Sequence, residues 1–425
     1  MIELDAARAL VRAELTQLAP AAVALDAAHG LVLAEEVVAR DAVPPFANTA
    51  MDGYAVRAGD TLSASTEHPV RLEVVGELPA GTAPTRAVGS GEAIRIMTGA
   101  PMPDGADAIV MVERTQPDGD RGVLIEAAAS RGDHVRPAAG DVSPGDVVFT
   151  PGTELGAAHL GVLASLGVTQ VRVVPRARVG VLSTGDEIVA SGALAPGQIR
   201  DSNRPMLLAL AAEAGCTPIN LGIVGDDEAK IFATIDSAVD ECDALLTSGA
   251  VSVGDYDFVK VAIERVAGTR GGRYEWSQVA IKPAKPLAFA SVQRGDVRVP
   301  IFGLPGNPVS SHVSFELFAR PVLRSMMGHR APDRPVVSAT ADQALARRRD
   351  GKLNLDRVQV WTDASGALRC ARSGFQASNV LSGMARANGL ALLADGTGVA
   401  AGDPVQVMLL APPLPGTPGS FFTGG

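Results

Sequence analysis

Residues 178–187 read RVGVLSTGDE and residues 244–249 read ALLTSG. In the first, Val179, Val181 and Leu182 form a short apolar run that ends in Ser183, Thr184, Gly185, Asp186 and Glu187. In the second, Ala244, Leu245 and Leu246 lead into Thr247, Ser248 and Gly249. A short apolar run closed by glycine and polar residues predicts a buried strand that delivers a loop. Between the two runs lie helical segments. Strand, helix, strand, helix predicts a parallel sheet, whose ligands sit in the crevice beyond the carboxyl ends of the strands. Ser, Thr, Gly, Asp and Glu at those ends suit a phosphate, or a metal bound to one.

The neighbouring segments extend this pattern. Ser202 or Asn203 is placed to cap a helix that has Pro205 near its first turn and ends at Gly215. Asp226, Asp227 and Glu228 crowd the start of a second helix, where the helix dipole favours negative charge. Ile231, Ile235 and Ala238 form its buried stripe. A later strand, PIFGL, feeds Pro305-Gly306-Asn307-Pro308, with Asn307 as cap and Pro308 as first residue of a helix whose inner face is Val309, Val313 and Leu317. Upstream, apolar spacing predicts helices over 3–17 and 26–40, the second weakened by Gly30, before Pro44-Pro45 forces an extended path. Residues 54–137 have no helical period, and their short β-prone runs predict a small inserted β domain. Residues 157–168 predict a helix stopped at Gly167, rejoining the first helices. Runs at 358–361, 390–393 and 405–410 predict a second β domain, and the Pro/Gly-rich tail reads as disordered at its end.

A chain of 425 residues is too long for one ordinary core. Its 4% aromatic content argues against stacking platforms for single-stranded nucleic acid. A net charge of −10 disfavours nonspecific DNA binding and anionic membrane surfaces. Cys216, Cys242 and Cys370 are too far apart for a metal motif and odd in number, so they read as small buried residues. The six histidines lie apart, leaving no zinc site and no Ser/His/Asp order. An acidic N-terminus and the lack of a long apolar run predict a cytoplasmic protein with neither nucleic-acid nor membrane partners.

Each chemical candidate has a plainer alternative. Ser183, Thr184, Gly185 and Glu187 suit an anion bound through backbone N–H groups with a carboxylate for a metal, or an ordinary strand-to-helix turn. Asp226 by local rules is a helix-start residue. Ser248, Gly249 and Ser252 lie in a stretch that leaves backbone open to a ligand, with Asp255 or Asp257 able to ligate Mg2+. Lys282-Pro283-Ala284-Lys285-Pro286 fixes two lysines on a stiff turn in an acidic chain, suited to phosphate or oxyanion, or else a solvated turn. Asp52-Gly53-Tyr54 and Arg95–Gly99 say nothing by spacing alone.

In combination, PPFANTAMDGYAVRAGD, AIRIMTGAPMPDGADAIVMVE, GDVSPGDVV, VGVLSTGDEIV, IRDSNRPML, GIVGDD, SGAVSVGDYDFVK, IKPAKPLAF, FGLPGNPVSSHVSFELF and GFQASNVLSGMARANGLALL resemble the MoeA-type molybdopterin molybdenumtransferases, the family that includes the gephyrin E domain. The resemblance implies insertion of molybdate into adenylylated molybdopterin with release of AMP, dependent on Mg2+. It implies a homodimer of four-domain subunits whose active site is shared between subunits, with a molybdopterin adenylyltransferase as a further partner. Carried over by motif, Asp52, Thr98, Asp141, Glu187 and Asp226 are the catalytic candidates. Lys282, Lys285, Pro305, Pro308, Arg357 and Ser378 join the strand-end residues as substrate-binding candidates. Glu187, Asp226, Asp255 and Asp257 are the metal candidates.

The expected fold class is multidomain α/β plus β: a central three-layer α/β domain with a mainly parallel sheet, an inserted small β domain, a discontinuous N-terminal helical domain and a C-terminal β-barrel-like domain. The expected bounds are 1–42 plus 138–175, 43–137, 176–329 and 330–425. The sequence departs from the family pattern at Ala47, where Asp is usual, and at Ala250 and Ala284, where glycine is usual. Two other readings keep the same α/β domain. Molybdopterin adenylylation or CinA-like nucleotide chemistry is disfavoured by the two β domains. A non-catalytic scaffold is disfavoured by intact acids at the matched positions.

Overall fold

A computed structural model describes residues 1–13, 15–249 and 258–416. By internal contacts the chain divides into residues 22–29 with 35–172, and residues 1–21, 30–34 and 173–425.

The first unit is built on a six-stranded sheet in the order Ala108–Met111, Gly53–Val56, Glu92–Ile96, Val70–Leu78, Gly122–Ile125, Thr115–Asp118. Successive residues of a strand face opposite sides. Tyr54 and Val56 therefore join one apolar cluster with Leu72, Val110 and Val123, while Ala55 joins Ile94, Ile96 and Ile109 on the other face. The central strand Gly53–Val56 is buried on both sides. The helix Ala157–Ser165 ends as its sequence suggests, with Gly167 at φ +71° and its N–H bonded to the Ala164 carbonyl.

The helix expected over 26–40 does not form. Leu25–Ala27 is a single 3-10 turn, Gly30 takes φ +72°, and Val32–Leu33 and Val37–Val38 are short strands. The apolar spacing was satisfied equally by extended chain, and β-branched valines with a left-handed glycine favour the strand. Val37 and Val38 pair with Phe149 and Val147.

In the second unit the central sheet runs Thr217–Val224, Arg178–Thr184, Ala244–Ser248, Val297–Leu304, Pro286–Arg294, Arg273–Gln278. The first four strands are parallel to one another, Pro286–Arg294 pairs antiparallel with Val297–Leu304, and Arg273–Gln278 pairs antiparallel with Pro286–Arg294. Val179, Val181 and Leu246 point into a core shared with the helices Asn203–Glu213 and Pro308–Ser314. Leu182 and Leu245 point into the opposite core, under Glu228–Glu241 and Phe258–Thr269. This alternation makes the three layers. The N-terminal helix is shorter than expected, Leu4–Arg12, and its Ala7 and Val11 are buried in the first of these cores.

The C-terminal strands close on themselves: Leu353–Thr362 pairs with Leu368–Arg372, then Val336–Ala341, Pro404–Leu409 and Gly389–Leu393, which returns to Leu353–Thr362. This is the expected barrel-like element. All three cysteines are free and buried, and burial raises the Cys216 thiol to about 12 and Cys370 to about 11. Among the described residues no helix is long and apolar enough to cross a membrane. The end of the Pro/Gly-rich tail, from 417, lies outside the described residues.

Candidate functional site

The chain leaves Arg178–Thr184 for the strand on one side, Thr217–Val224, and then crosses to the other side at Ala244–Ser248. That reversal opens the sheet between Thr184 and Ser248, the place where doubly wound sheets bind ligands. Both strands end there in left-handed glycines, Gly185 at φ +138° and Gly249 at φ +116°. A methyl group on Gly249 would lie 2.6 Å from the Thr184 carbonyl oxygen, so only glycine lets the two strand ends approach. Thr184 Oγ1 bridges to the Ser248 carbonyl at 3.4 Å.

A cavity of about 630 Å³ lies at this end of the sheet. Of the sequence candidates it is lined by Glu187, Gly249, Pro305 and Pro308. Ser183 and Thr184 are buried and do not line it; Ser183 Oγ donates to Asp201, which does, at 3.1 Å. Glu187 is exposed, with its carboxylate folded toward Gly185. Asp226 is exposed too, and it exchanges hydrogen bonds with Asp186: its N–H donates to Asp186 Oδ1 at 3.0 Å, and Asp186 N donates to Asp226 Oδ2 at 3.4 Å. The helix cap beside it is Asp227, which accepts from Lys230 N at 3.1 Å; that bond holds its carboxyl below the usual range. Asp226 is therefore not needed as the cap.

Two sequence-based caps are corrected. Neither Ser202 nor Asn203 caps Asn203–Glu213 with its side chain. Asp201 does this work, accepting from Arg204 N at 3.0 Å and pairing with Arg204 Nε at 2.8 Å. Asn307 precedes Pro308 as expected, but its side chain makes no cap bond and donates to Ser378 Oγ at 3.1 Å. The Ser378 carbonyl accepts from Val309 N at 3.1 Å. These two bonds join the LPGNP turn to the GFQAS segment. The caps were misassigned because Asp, Ser and Asn are all good caps and stand side by side.

Arg357 is 1% exposed. Its guanidinium donates to the carbonyls of Phe375 and Ala377 at 2.5 and 3.1 Å, and among the described residues Nε has no partner. Burial lowers its pKa. The neighbouring Asp356 is bonded to Arg372 instead. Lys282 is exposed and lies on Ile281–Lys282, which pairs with Leu353 and Asn354. Ala284, 2% exposed at φ +73°, holds the turn to Lys285 in a conformation that glycine takes without strain. No ion pair to Lys282 or Lys285 occurs among the described residues.

In the other unit, Asp52 Oδ1 accepts from both the N–H and the hydroxyl of Thr98, each at 2.6 Å. These bonds hold the Asp52 carboxyl below its usual range, the hydroxyl contributing most. The ionised form is thereby favoured, and that preference is lost as pH falls through the folded value. We expect Thr98→Ala to move the Asp52 titration upward by carbon-13 NMR; an unchanged titration would show that the hydroxyl is not the donor. Asp141 is exposed, its N–H bonded to the Val43 carbonyl. Ser252, Asp255, Asp257 and Ala250 lie outside the described residues. Among the described residues no three His, Cys, Asp or Glu side chains gather as a metal centre. Sequence reasoning missed Asp201, Asn379 and, as a lining residue, Asn203.

Comparisons with known proteins agree across the chain. The family described as MoeA N-terminal region (domain I and II) matches residues 2–167, that of the probable molybdopterin binding domain 180–325, and that of the MoeA C-terminal region (domain IV) 346–410. A Mycobacterium tuberculosis molybdopterin molybdenumtransferase 2 is 42% identical over 392 residues, 91% of this chain and 94% of its own. The Bacillus subtilis molybdopterin molybdenumtransferase is 35% identical over 406 residues, 91% and 89% of the two chains. A crystal structure of the Pyrococcus horikoshii molybdopterin biosynthesis protein MoeA superposes with a TM-score of 0.79 at 28% identity, covering 97% of this chain and 100% of that one. With the strand-end cavity, the LPGNP turn and the closed C-terminal barrel all in place, this chain belongs to the MoeA family of molybdopterin molybdenumtransferases.

Proposed function

We propose that this chain is a transferase of molybdenum cofactor biosynthesis that inserts molybdate into adenylylated molybdopterin and releases AMP. The observation that carries the proposal is the strand-end cavity, which gathers Glu187, Gly249, Pro305 and Pro308 from three separate segments. The substrates are two anions. At ~4 Å two unit charges in a partly exposed site repel by about 4 kcal/mol. Positive charge at the site has to offset that.

Lys282 and Lys285, free of carboxylates among the described residues, are suited to meet the oxyanions. Arg357 adds a guanidinium whose bonds go to carbonyls, so its charge is not spent on an acid. Ser378, positioned by Asn307, gives that side a hydroxyl. Glu187 and Asp226 are exposed oxygen ligands following two neighbouring parallel strands. They fit Mg2+, which commonly takes one or two carboxylates, several waters and substrate phosphates. When bound, such an ion neutralises phosphate charge and polarises the P–O bond that breaks. Asp52, kept ionised by Thr98, is suited to orient water or a substrate hydrogen.

The four-domain division, a homodimer sharing its sites, the adenylyltransferase as partner and a cytoplasmic location belong to the same reading. Separate apolar clusters around Tyr54, Val179 and Val358 support the domain division. The direct test is to incubate folded protein with adenylylated molybdopterin, molybdate and Mg2+, and measure AMP release together with molybdenum-loaded pterin. Turnover requiring all three is expected; none from pure, folded protein would reject the proposal.

A further inference from the structure

We infer that Asn203 is a positioning and specificity-determining residue of this cavity, with an amide nitrogen that ties two strand-end turns together and a carbonyl oxygen kept for a heterocyclic N–H of the substrate. Asn203 is 7% exposed and lines the cavity beside Gly249, Pro305 and Gly306. Its Nδ2 donates to Ser248 Oγ at 2.6 Å and to the Gly306 carbonyl at 2.7 Å. The Gly306 carbonyl can only accept, so the amide nitrogen must face it, and the placement of Oδ1 follows from chemistry. One side chain thus links the end of Ala244–Ser248 to the turn after Val297–Leu304, two segments that both border the cavity.

Oδ1 is buried and, among the described residues, has no partner. Asp201 caps the helix, so Asn203 is not needed there. A buried amide oxygen left unpaired is destabilising, and a ligand donor would recover that loss. The inference rests on the proposed function for its ligand. Of the proposed substrates' parts, molybdate and ionised phosphates offer acceptors. The pterin and the adenine both carry N–H donors on flat rings, and either could supply the hydrogen.

The test measures Kd for molybdopterin and for AMP separately, and KM for molybdate, in wild type, Asn203→Leu and Asn203→Ser. Asn203→Leu keeps the approximate volume; Asn203→Ser guards against misfolding of the first, and circular dichroism checks both. The expected result is a loss of about tenfold or more in one ring-bearing ligand, with the other and the molybdate KM within about twofold. Loss confined to molybdopterin assigns the donor to the pterin; loss confined to AMP assigns it to adenine. Unchanged affinity for both, or equal weakening of all three ligands, overturns the inference, the latter because it reports a loosened turn. A wild type that binds molybdopterin but turns nothing over would fail the proposed reaction while leaving the Asn203 measurement intact.

Discussion

Glu187→Ala should slow AMP release on the order of 10³-fold, the scale expected when a charge that organises a metal and a phosphate is removed. The thermal midpoint should move by no more than about 2 °C, because an exposed substitution away from packing seldom costs more than ~0.5 kcal/mol. The side chain stands outside the buried strand end, and its carboxylate lies over Gly185 rather than in a core. Glu187→Gln separates charge from size. It should be nearly as slow as alanine, and raising Mg2+ should recover part of the loss in either variant if the carboxylate is a ligand. A melt lowered by many degrees would instead make Glu187 a structural turn residue. Full activity in Glu187→Gln would remove the metal role.

How much of this site was legible depends on what each residue is bonded to. Val179, Val181 and Leu182, ending in Gly185, announce a buried strand because burial and the glycine turn are both local properties. The strand order is also within reach, since a parallel sheet with helices on both faces leaves few topologies. The 26–40 segment failed for the opposite reason: its apolar spacing fits helix and strand alike, and pairing of Val37 and Val38 with Phe149 and Val147 decided it. Asn203, Asn307 and Asp201 were legible as residues that suit helix starts, not as partners of Ser248, Ser378 and Ser183. Those bonds span from 18 to 71 residues of sequence. Arg357 entered by motif alone; nothing local says that it is buried beneath the carbonyls of Phe375 and Ala377.

The second large effect lies behind the LPGNP turn. Pro308–Ser314 passes into one π-helical stretch, Phe315–Ala319, and then Arg320–Met326. Glu316, 1% exposed, sits in that stretch and accepts two hydrogen bonds from Arg334, both at 2.9 Å, with Arg320 Nε 3.7 Å away. Among the described residues Arg320 Nε has no hydrogen-bond partner, so the carboxylate compensates it. Glu316→Ala leaves two guanidiniums largely buried without their acid, a loss of about 3–5 kcal/mol. For a domain of this size that should lower the thermal midpoint by roughly 10 °C. Replacing both members, Glu316→Leu with Arg334→Met, should recover part of the loss, because the uncompensated charge does most of the damage. His312 sets a pH signature in the same place. Burial lowers its pKa, and Glu316 partly opposes this. The folded state therefore binds the imidazole proton less well than the unfolded chain does, and stability should fall as pH drops below the unfolded value of about 6.5. Removing Glu316 takes away a carboxylate that favours the charged ring, so acid sensitivity should steepen. Equal melts for wild type and Glu316→Ala across this range would show that the buried pair contributes nothing to holding the helix behind the turn.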